Sequence, residues 1–348
     1  MNKSFLFKLL LIYLLINPIF SATNPSSLQF PLDHGKHSDA NQEWWSFFGH
    51  MMDANNNLYG FSLTFMRLSV PYQKPPSNWV TQDIYTSYFS ITDSKEERFY
   101  YKEKINRTSF NFAGSNDSQL MLWNRGWQAI MNDKEITLKA QTNEVDLTLQ
   151  LLPMKSPLLF GQNGLLENIN LYYYALPKLQ GHGKLKLGQN EFNIVSVLGD
   201  FDHAFQVQKN IDTVWDKFII HLNNGDDFFL YIFSSKSSTF VYPDSFCIIS
   251  HPDGTSVMLK FDDFQLTQSD SWHSQISNVT YPSSWILTIP KYHYRLIMKP
   301  TIKNQEVVTL NTTYWGGQSF VTGEKNGIPI QGYAYVEFSK QVSRAYLL

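Results

Sequence analysis

Cysteine, charged residues and long helical periods are scarce in this sequence of 348 residues, and each shortage excludes a class of protein. Cys247 is the single cysteine, so no disulfide can form within the chain. The apolar run at 246–249 is typical of a buried strand, in which a thiol behaves as a small hydrophobic group. Charged residues make up only 17% and the formal net charge is −2, so we expect no nucleic-acid partner.

Long hydrophobic runs are also absent after the N-terminal segment. Lys3 and Lys8 precede a short apolar run at 9–16, and small residues follow close to position 22. This order is typical of a secretory signal peptide, and the run is too short to span a membrane. The sequence predicts a signal peptide at 1–22, a secreted or periplasmic protein, and no transmembrane segment after cleavage.

Alternation of apolar and polar residues with a period of two is the main pattern along the chain. Leu147, Leu149 and Leu151 alternate with polar residues, which predicts a strand with one face in a core. Asn224-Gly225 lies between two apolar runs and suits the type I′ turn of a hairpin. Because no stretch of a dozen residues shows a capped 3.6-residue period, helices should be few and short. The sequence predicts an all-β protein.

The length favours two domains. The most natural boundary is the polar stretch at 208–212, after one apolar block and before the next hairpin. Short, evenly spaced strands with aromatic residues on one face are typical of barrels or sandwiches. We predict two β-domains, at 23–209 and 210–348.

Several familiar catalytic motifs are missing. The sequence contains no phosphate-binding loop, no Gly-x-Ser-x-Gly elbow and no His-Glu-x-x-His motif, which disfavours nucleotide chemistry and serine hydrolysis. His34 and His37 lie near Asp33 and Glu43 and offer metal-ligand chemistry, but their spacing matches no common zinc pattern. We expect neither a metal ion nor another cofactor.

Large aromatic residues stand beside isolated acids at several points. Because residues two apart on a strand share a face, Tyr172 and Tyr174 should point the same way, as should Asp200 and Asp202. Such clusters either fill a barrel core with their polar ends paired, or line an apolar cavity with a few polar groups. The residues that we predict to bind an apolar small molecule are Glu43, Trp44, Trp45, Trp215, Asp216, Tyr314 and Trp315.

Several different short motifs follow one another along nearly the whole chain. They are Pro31-Leu32-Asp33-His34-Gly35, Glu43-Trp44-Trp45, Gly49-His50, Tyr172-Tyr173-Tyr174, Asp202-His203, Trp215-Asp216, Tyr314-Trp315 and Gly332-Tyr333. This order resembles the AttH and carotenoid 1,2-hydratase (CrtC-like) family. The resemblance implies two tandem lipocalin-like antiparallel β-barrels. It also implies relatives that hydrate carbon-carbon double bonds of isoprenoid or phenolic molecules, and secreted relatives described only as hydrolases.

The resemblance implies roles for single residues. The acid of the carotenoid hydratases falls on Asp202, and two residues that assist it from an earlier strand fall on Tyr172 and Tyr174. The aromatic residue that precedes this acid in the family is Asp200 here. Other departures from the family pattern are Ser46, Ala204, Phe205, Lys217 and Gly316.

Three functions remain open at this point. In the first, Asp202 protonates a double bond in a water-poor cavity, His203 orients it or activates water, and Tyr172, Tyr174 and Trp215 stabilise the carbocation. In the second, the protein is a noncatalytic carrier of a hydrophobic ligand, which fits the departures from the family pattern. In the third, its aromatic residues form an assembly surface.

Overall fold

The computed structural model describes residues 28–70, 83–207, 213–238, 240–309 and 313–338. The predicted signal peptide at 1–22 and the predicted boundary between 209 and 210 lie outside these residues. Within them, every helix is a 3₁₀ turn of three residues, and none is long and apolar enough to cross a membrane. The expectation that helices are few and short is confirmed for this part of the chain.

Twenty-three strands and five short helices make up the described fold. The strands are β1 (Gln42–Asp53), β2 (Leu58–Ser69), β3 (Asp83–Asp93), β4 (Arg98–Arg107), β5 (Ala113–Ser115), β6 (Met121–Asn124), β7 (Trp127–Asn132), β8 (Glu135–Gln141), β9 (Val145–Pro153), β10 (Leu158–Leu159), β11 (Leu165–Leu166), β12 (Leu171–Leu187), β13 (Asn190–Gln206), β14 (Thr213–Leu222), β15 (Asp227–Ser235), β16 (Phe246–Ser250), β17 (Ser256–Lys260), β18 (Gln265–His273), β19 (Thr280–Ile289), β20 (Tyr294–Pro300), β21 (Glu306–Val308), β22 (Thr313–Lys325) and β23 (Ile328–Phe338). The 3₁₀ turns are η1 (Leu32–His34), η2 (Ser109–Asn111), η3 (Glu167–Ile169), η4 (Phe261–Asp263) and η5 (Pro290–Tyr292).

The strands form two antiparallel sheets. The first has the order β4-β3-β2-β1-β13-β12-β9-β8-β7-β6-β5, with β10 and β11 also paired to β12. The second has the order β17-β16-β15-β14-β23-β22-β20-β19-β18, with β21 also paired to β22. The first sheet curves into a nearly closed barrel and the second into a half-barrel. The predicted all-β class with tandem barrels is confirmed, although the second barrel is open on one side.

Local sequence accounts for most strands. Along β9, buried and more exposed residues alternate as the period of two predicts. Asn326-Gly327 forms a two-residue hairpin loop in which φ is 52° at Asn326 and 74° at Gly327, as a type I′ turn requires. The hairpin at Asn224-Gly225 is also present, but only Gly225 of this pair has a positive φ, of 88°. The loop there is longer than two residues, so the expected type I′ turn is corrected.

Three apolar cores stabilise the molecule. The first core fills the barrel of the first sheet, and the second core, which contains the buried Cys247, fills the half-barrel. The expectation that this cysteine is a buried strand residue is therefore confirmed. A third core lies between the sheets and joins residues of β1, β12 and β13 to residues of β14, β15 and β23. Because of this third core, both faces of the central strands are covered.

Charged groups are buried between the sheets as well. His221 on β14 has Nε2 at 2.7 Å from Asp200 Oδ2 on β13, and Nδ1 at 2.8 Å from Asp227 Oδ1. Lys155 donates from Nζ to Asp227 Oδ2 at 2.6 Å. Burial alone would lower the pKa of His221, but the charge of Asp200 and hydrogen bonds to both carboxylates raise it to about 10. A protonated His221 therefore links the two sheets.

We expect Leu149→Ala to lower the free energy of unfolding by about 2–5 kcal/mol, because Leu149 is fully buried in the first core and its loss leaves a cavity. Leu152→Ala is the matched control, since Leu152 lies on the same strand and is 47% exposed. That variant should change stability by less than about 0.5 kcal/mol. Urea unfolding checks both, and equal losses would contradict the assignment of faces on β9.

His221 should make stability depend on pH. Its folded pKa of about 10 exceeds the unfolded value of 6.5, so its contribution is complete below pH 6.5 and is lost as pH rises through 10. Compared with His221→Gln, the wild type should lose up to about 1.4 kcal/mol more per pH unit above 6.5. Urea unfolding at several pH values measures this. His182→Gln, which changes an exposed histidine, should keep the wild-type slope, and parallel profiles for wild type and His221→Gln would contradict the bridge.

Candidate functional site

Strand β13 sends the neighbouring residues Asp202 and His203 to opposite faces of the first sheet. Phe201 and Phe205 belong to the core inside the barrel, whereas Ala204 belongs to the core between the sheets. His203 shares the barrel side with the two phenylalanines, and Asp202 shares the inter-sheet side with Ala204. The two residues therefore belong to two separate polar clusters.

The first polar cluster surrounds Asp202 between the sheets, and we call it the inter-sheet acid cluster: Asp202, Tyr173, Lys217, Tyr231 and Glu337. Tyr173 donates its hydroxyl to Asp202 Oδ2 at 3.0 Å, Lys217 donates from Nζ at 3.2 Å, and the Tyr231 hydroxyl lies at 3.4 Å. All three contacts end on Oδ2. Within the described part of the chain, no hydrogen bond reaches Oδ1.

Burial of this cluster favours a proton on Asp202. Lys217 Nζ also lies 3.4 Å from Glu337 Oε2, so one ammonium serves two carboxylates. The Asp202 side chain is 5% exposed and that of Glu337 is 16% exposed, so Asp202 loses more hydration. Burial raises the pKa of Asp202 even though Lys217 opposes this shift. The charges of both carboxylates raise the pKa of Lys217 against the effect of its burial.

Aromatic rings surround the inter-sheet acid cluster. Lys217 Nζ lies 4.1 Å from the centroid of the Phe48 ring, which is a cation-π contact. Trp215 donates from Nε1 to Glu337 Oε1 at 3.2 Å, and its ring meets Trp44 edge to face with centroids 6.3 Å apart. Of the residues predicted to bind a ligand, Trp44 and Trp215 therefore lie between the two sheets, as Asp202 does.

The second polar cluster lies inside the first barrel, and we call it the His-Glu cluster: His37, Glu43 and His203. His37 precedes β1, Glu43 lies on β1, and His203 lies on β13. Glu43 Oε1 is 2.8 Å from His37 Nδ1 and 3.0 Å from His203 Nε2. Arg67 on β2 donates from Nε to Glu43 Oε2 at 3.1 Å and from another nitrogen to Asp83 at 2.8 Å. The cluster is thus anchored on three adjacent strands.

Burial and ion pairing set the charges of the His-Glu cluster. Burial alone would lower the pKa of His37, but hydrogen bonds to Asp33 and Glu43 raise it to about 9. Burial alone would raise the pKa of Glu43, but hydrogen bonds from His203 and His37 lower it to about 2. Burial lowers the pKa of His203. His37 is therefore the charged histidine of the pair, and His203 is neutral.

Tyr172, Tyr174 and Trp45 lie on the barrel side with His203. The Tyr174 hydroxyl is 3.1 Å from His203 Nδ1, and Trp45 stacks on the His203 ring with centroids 4.8 Å apart. Tyr172 stacks on Phe205, also at 4.8 Å. The expectation that His203, Tyr172 and Tyr174 assist Asp202 is therefore corrected: β12 presents Tyr173 to Asp202 and the other two tyrosines to the barrel.

The remaining residues predicted to bind a ligand lie elsewhere. Trp315 is buried in the core of the half-barrel, against Trp285 and Phe338. Asp216 is buried on β14, opposite Phe338 in the strand register. Tyr314 on the second sheet meets Tyr88 of the first sheet edge to face, with centroids 6.1 Å apart. The predicted ligand residues therefore do not line one pocket.

Four residues surround Asp202 without having been predicted as site residues: Tyr173, Lys217, Tyr231 and Glu337. A signal for Tyr173 exists in the run of three tyrosines, because the middle residue must face away from the other two. Choosing which face meets Asp202 requires the register of β12 with β13, in which Ala175 pairs with Asp202. That register is not visible in the sequence.

Comparison with solved structures supports the fold. A Nitrosomonas europaea protein described as an AttH superposes with a TM-score of 0.78 at 20% identity, covering 89% of this chain and 96% of the other. Kievitone hydratase from Nectria haematococca superposes with a TM-score of 0.72 at 16% identity, covering 90% of this chain and 93% of the other. At these identities the likeness extends to the fold. A search of curated protein sequences found no significant match.

The match to a family model covers all of the described fold. The model of AttH-like proteins aligns with residues 21–340, which includes both sheets and both polar clusters. The ordered motifs that suggested this family thus fall within one continuous match. The chain belongs to the AttH-like family.

Proposed function

We propose that the protein binds an apolar unsaturated small molecule between its two sheets, and that Asp202 protonates a carbon-carbon double bond of this molecule. One observation carries the proposal: Oδ2 of the buried Asp202 holds all of its described hydrogen bonds, which leaves Oδ1 to carry and donate a proton. Membership of the AttH-like family and the structural likeness to a hydratase support a hydratase-like or ligand-binding role.

The charge of the inter-sheet acid cluster supports a protonated Asp202. With Asp202 and Glu337 both ionised, Lys217 leaves a net charge of −1 between the sheets. One added proton makes the cluster neutral, which is the favoured state in a medium of low polarity. Burial raises the pKa of Asp202, so we assign this proton to Asp202.

Hydration then follows in balanced steps. The electron pair of the double bond takes the proton from Oδ1, which leaves a carbocation on the neighbouring carbon and a carboxylate on Asp202. The faces of Trp44 and Trp215 can stabilise the cation by about 0.5–2 kcal/mol each. Water adds to the cation and returns a proton to Asp202. The product is an alcohol, and Asp202 ends the cycle protonated.

A second candidate function is that of a noncatalytic carrier. The observation that favours it is the contact of 3.2 Å between Lys217 Nζ and Asp202 Oδ2. If this contact holds Asp202 in its ionised form, no acidic proton is present, and the same aromatic surroundings bind a hydrophobic ligand without turnover.

Replacement of Asp202 distinguishes the two functions. The purified full chain is incubated in H₂¹⁸O with a panel of acyclic isoprenoids and isoprenoid-substituted phenols. Mass spectrometry should detect a product heavier by one ¹⁸O-labelled water. Asp202→Asn should reduce its formation by at least about 100-fold, because the general acid is lost. Ligand retention, measured by extraction after gel filtration, should persist in this variant.

The matched control for that experiment is Asp226→Asn. Asp226 is also a buried aspartate, but it lies near Tyr294 and Lys325 in the second sheet. This variant should keep turnover once circular dichroism shows that it is folded. A compound retained by the wild type and by Asp202→Asn, with product from neither, would support the carrier. Equal product from both proteins would contradict a role of Asp202 as the acid.

Removal of Lys217 should change the protonation of Asp202 in a predictable direction. A nearby cation favours the carboxylate, so Lys217→Met should raise the pH midpoint of Asp202 protonation by about one unit or more. Infrared titration of the C=O stretch of the buried carboxyl measures this midpoint, and Asp202→Asn identifies the band. Lys184→Met removes an exposed lysine and should not move it. An unchanged midpoint in Lys217→Met would contradict the coupling.

A further inference from the structure

The His-Glu cluster inside the first barrel is not used by the proposed function. We propose that His37, Glu43 and His203 bind a divalent transition metal ion, with Zn²⁺ as the ion that this donor set favours. Two imidazole nitrogens and one carboxylate oxygen form a donor set found in zinc sites with an open fourth position.

The three donor atoms already converge. His37 Nδ1, Glu43 Oε1 and His203 Nε2 lie within 4.8 Å of one another. Glu43 Oε1 is 2.8 Å from the first nitrogen and 3.0 Å from the second. Tetrahedral Zn²⁺ with bonds of about 2.0–2.1 Å needs donor atoms about 3.3 Å apart. The two separations from Glu43 Oε1 are 0.3–0.5 Å shorter than that spacing, so the Glu43 carboxylate must move away from both histidines to admit the ion.

The atoms that would face away from the ion have partners suited to metal ligands. His37 Nε2 is 3.0 Å from the Asp33 carboxylate, and His203 Nδ1 is 3.1 Å from the Asp33 main-chain oxygen. Glu43 Oε2 accepts a hydrogen bond from Arg67 Nε at 3.1 Å. Ligating histidines usually donate their outer N–H group to a carboxylate or carbonyl oxygen, which orients the ring toward the metal. Both histidines of the cluster have such a partner.

Carboxylates and their cationic partners surround the cluster. Arg67 pairs with Glu43 and Asp83, Asp33 pairs with His37, and Lys36 lies near both Asp83 and Asp117. The hydrogen bonds between Glu43 Oε1 and the two histidines place protons where the ion would bind. A divalent ion can replace these protons, as metal binding to histidine and carboxylate ligands requires.

Aromatic stacking holds both histidine rings in place. His37 stacks on Phe205 with centroids 3.5 Å apart, and His203 stacks on Trp45 at 4.8 Å. The His37 side chain is 14% exposed, whereas Glu43 and His203 are fully buried, so an ion would enter beside His37. The stacked rings and the burial of two of the three ligands make the cluster a preorganised site rather than a surface cluster.

Metal binding by the untagged full chain tests this proposal. After treatment with a chelator and gel filtration, the protein is equilibrated with Zn²⁺, and bound metal is measured by inductively coupled plasma mass spectrometry. We expect one equivalent per chain and an increase in Tm, because the ion binds the folded state. Mg²⁺ should not bind, since it prefers oxygen ligands. Co²⁺ should give the visible absorption of a tetrahedral site with nitrogen and oxygen donors.

Variants locate the ion. His37→Gln, Glu43→Gln and His203→Gln should each lower Zn²⁺ affinity by at least about 100-fold, and Asp33→Asn, which removes only an outer partner, by about 10–100-fold. His182→Gln changes an exposed histidine on β12 and should keep full affinity. Circular dichroism establishes that each variant is folded. A wild-type chain that binds no Zn²⁺, or one equivalent retained by all three ligand variants, would overturn the proposal.

The metal site and the proposed reaction can fail separately. The His-Glu cluster lies on the opposite face of β13 from Asp202, so Asp202→Asn should still bind one Zn²⁺. If this variant loses turnover but retains Zn²⁺, the loss of turnover results from the missing Asp202 carboxyl and not from a damaged metal site. Loss of Zn²⁺ from Asp202→Asn would contradict the separation of the two clusters.

Discussion

Burial of both faces of β13 in its second half, at 199–206, is the constraint on which the rest of the structure depends. All residues at 200–206 are buried, because one face lines the first barrel and the other packs against the second sheet. Polar side chains in this segment therefore cannot be satisfied by water. Asp200, Asp202 and His203 each need a protein partner, and each has one on a different strand or turn.

Paired charges follow from that constraint. His221 links Asp200 to Asp227, Lys217 joins Asp202 to Glu337, and Arg67 joins Glu43 to Asp83. Removing one member of a buried pair leaves an uncompensated charge, which is far more costly than losing an exposed pair. Two of these links cross between the sheets, so they align the sheets as well as stabilise them. The same pairing brings titratable groups together in water-poor surroundings, where unusual protonation states arise.

Particular residues show how far the sequence predicts this structure. The alternation at 145–151 predicts β9 and its buried face, and Asn224-Gly225 predicts a hairpin at the correct place. The predicted alternation along the run of three tyrosines is confirmed, because Tyr172 and Tyr174 lie on one face of β12 and Tyr173 lies on the other. The prediction that Tyr172 and Tyr174 meet Asp202 is corrected. A shift of one residue in the pairing of two strands exchanges the faces of their side chains, and the sequence does not show which pairing forms. The sequence around His37 does not indicate the third proposed metal ligand, His203, because His203 lies 160 residues from Glu43 along the chain.

The sequence by itself determined the all-β class, the buried face of β9, the place of the hairpin at Asn224-Gly225 and the ordered motifs of the AttH-like family. These features depend on local periodicity and spacing, which a single chain displays directly. The tertiary structure alone decided that Asp202 meets Lys217 while His203 meets Glu43. The register between strands and the packing of one sheet on the other choose these partners, and both depend on the burial of the whole molecule rather than on neighbours in the sequence.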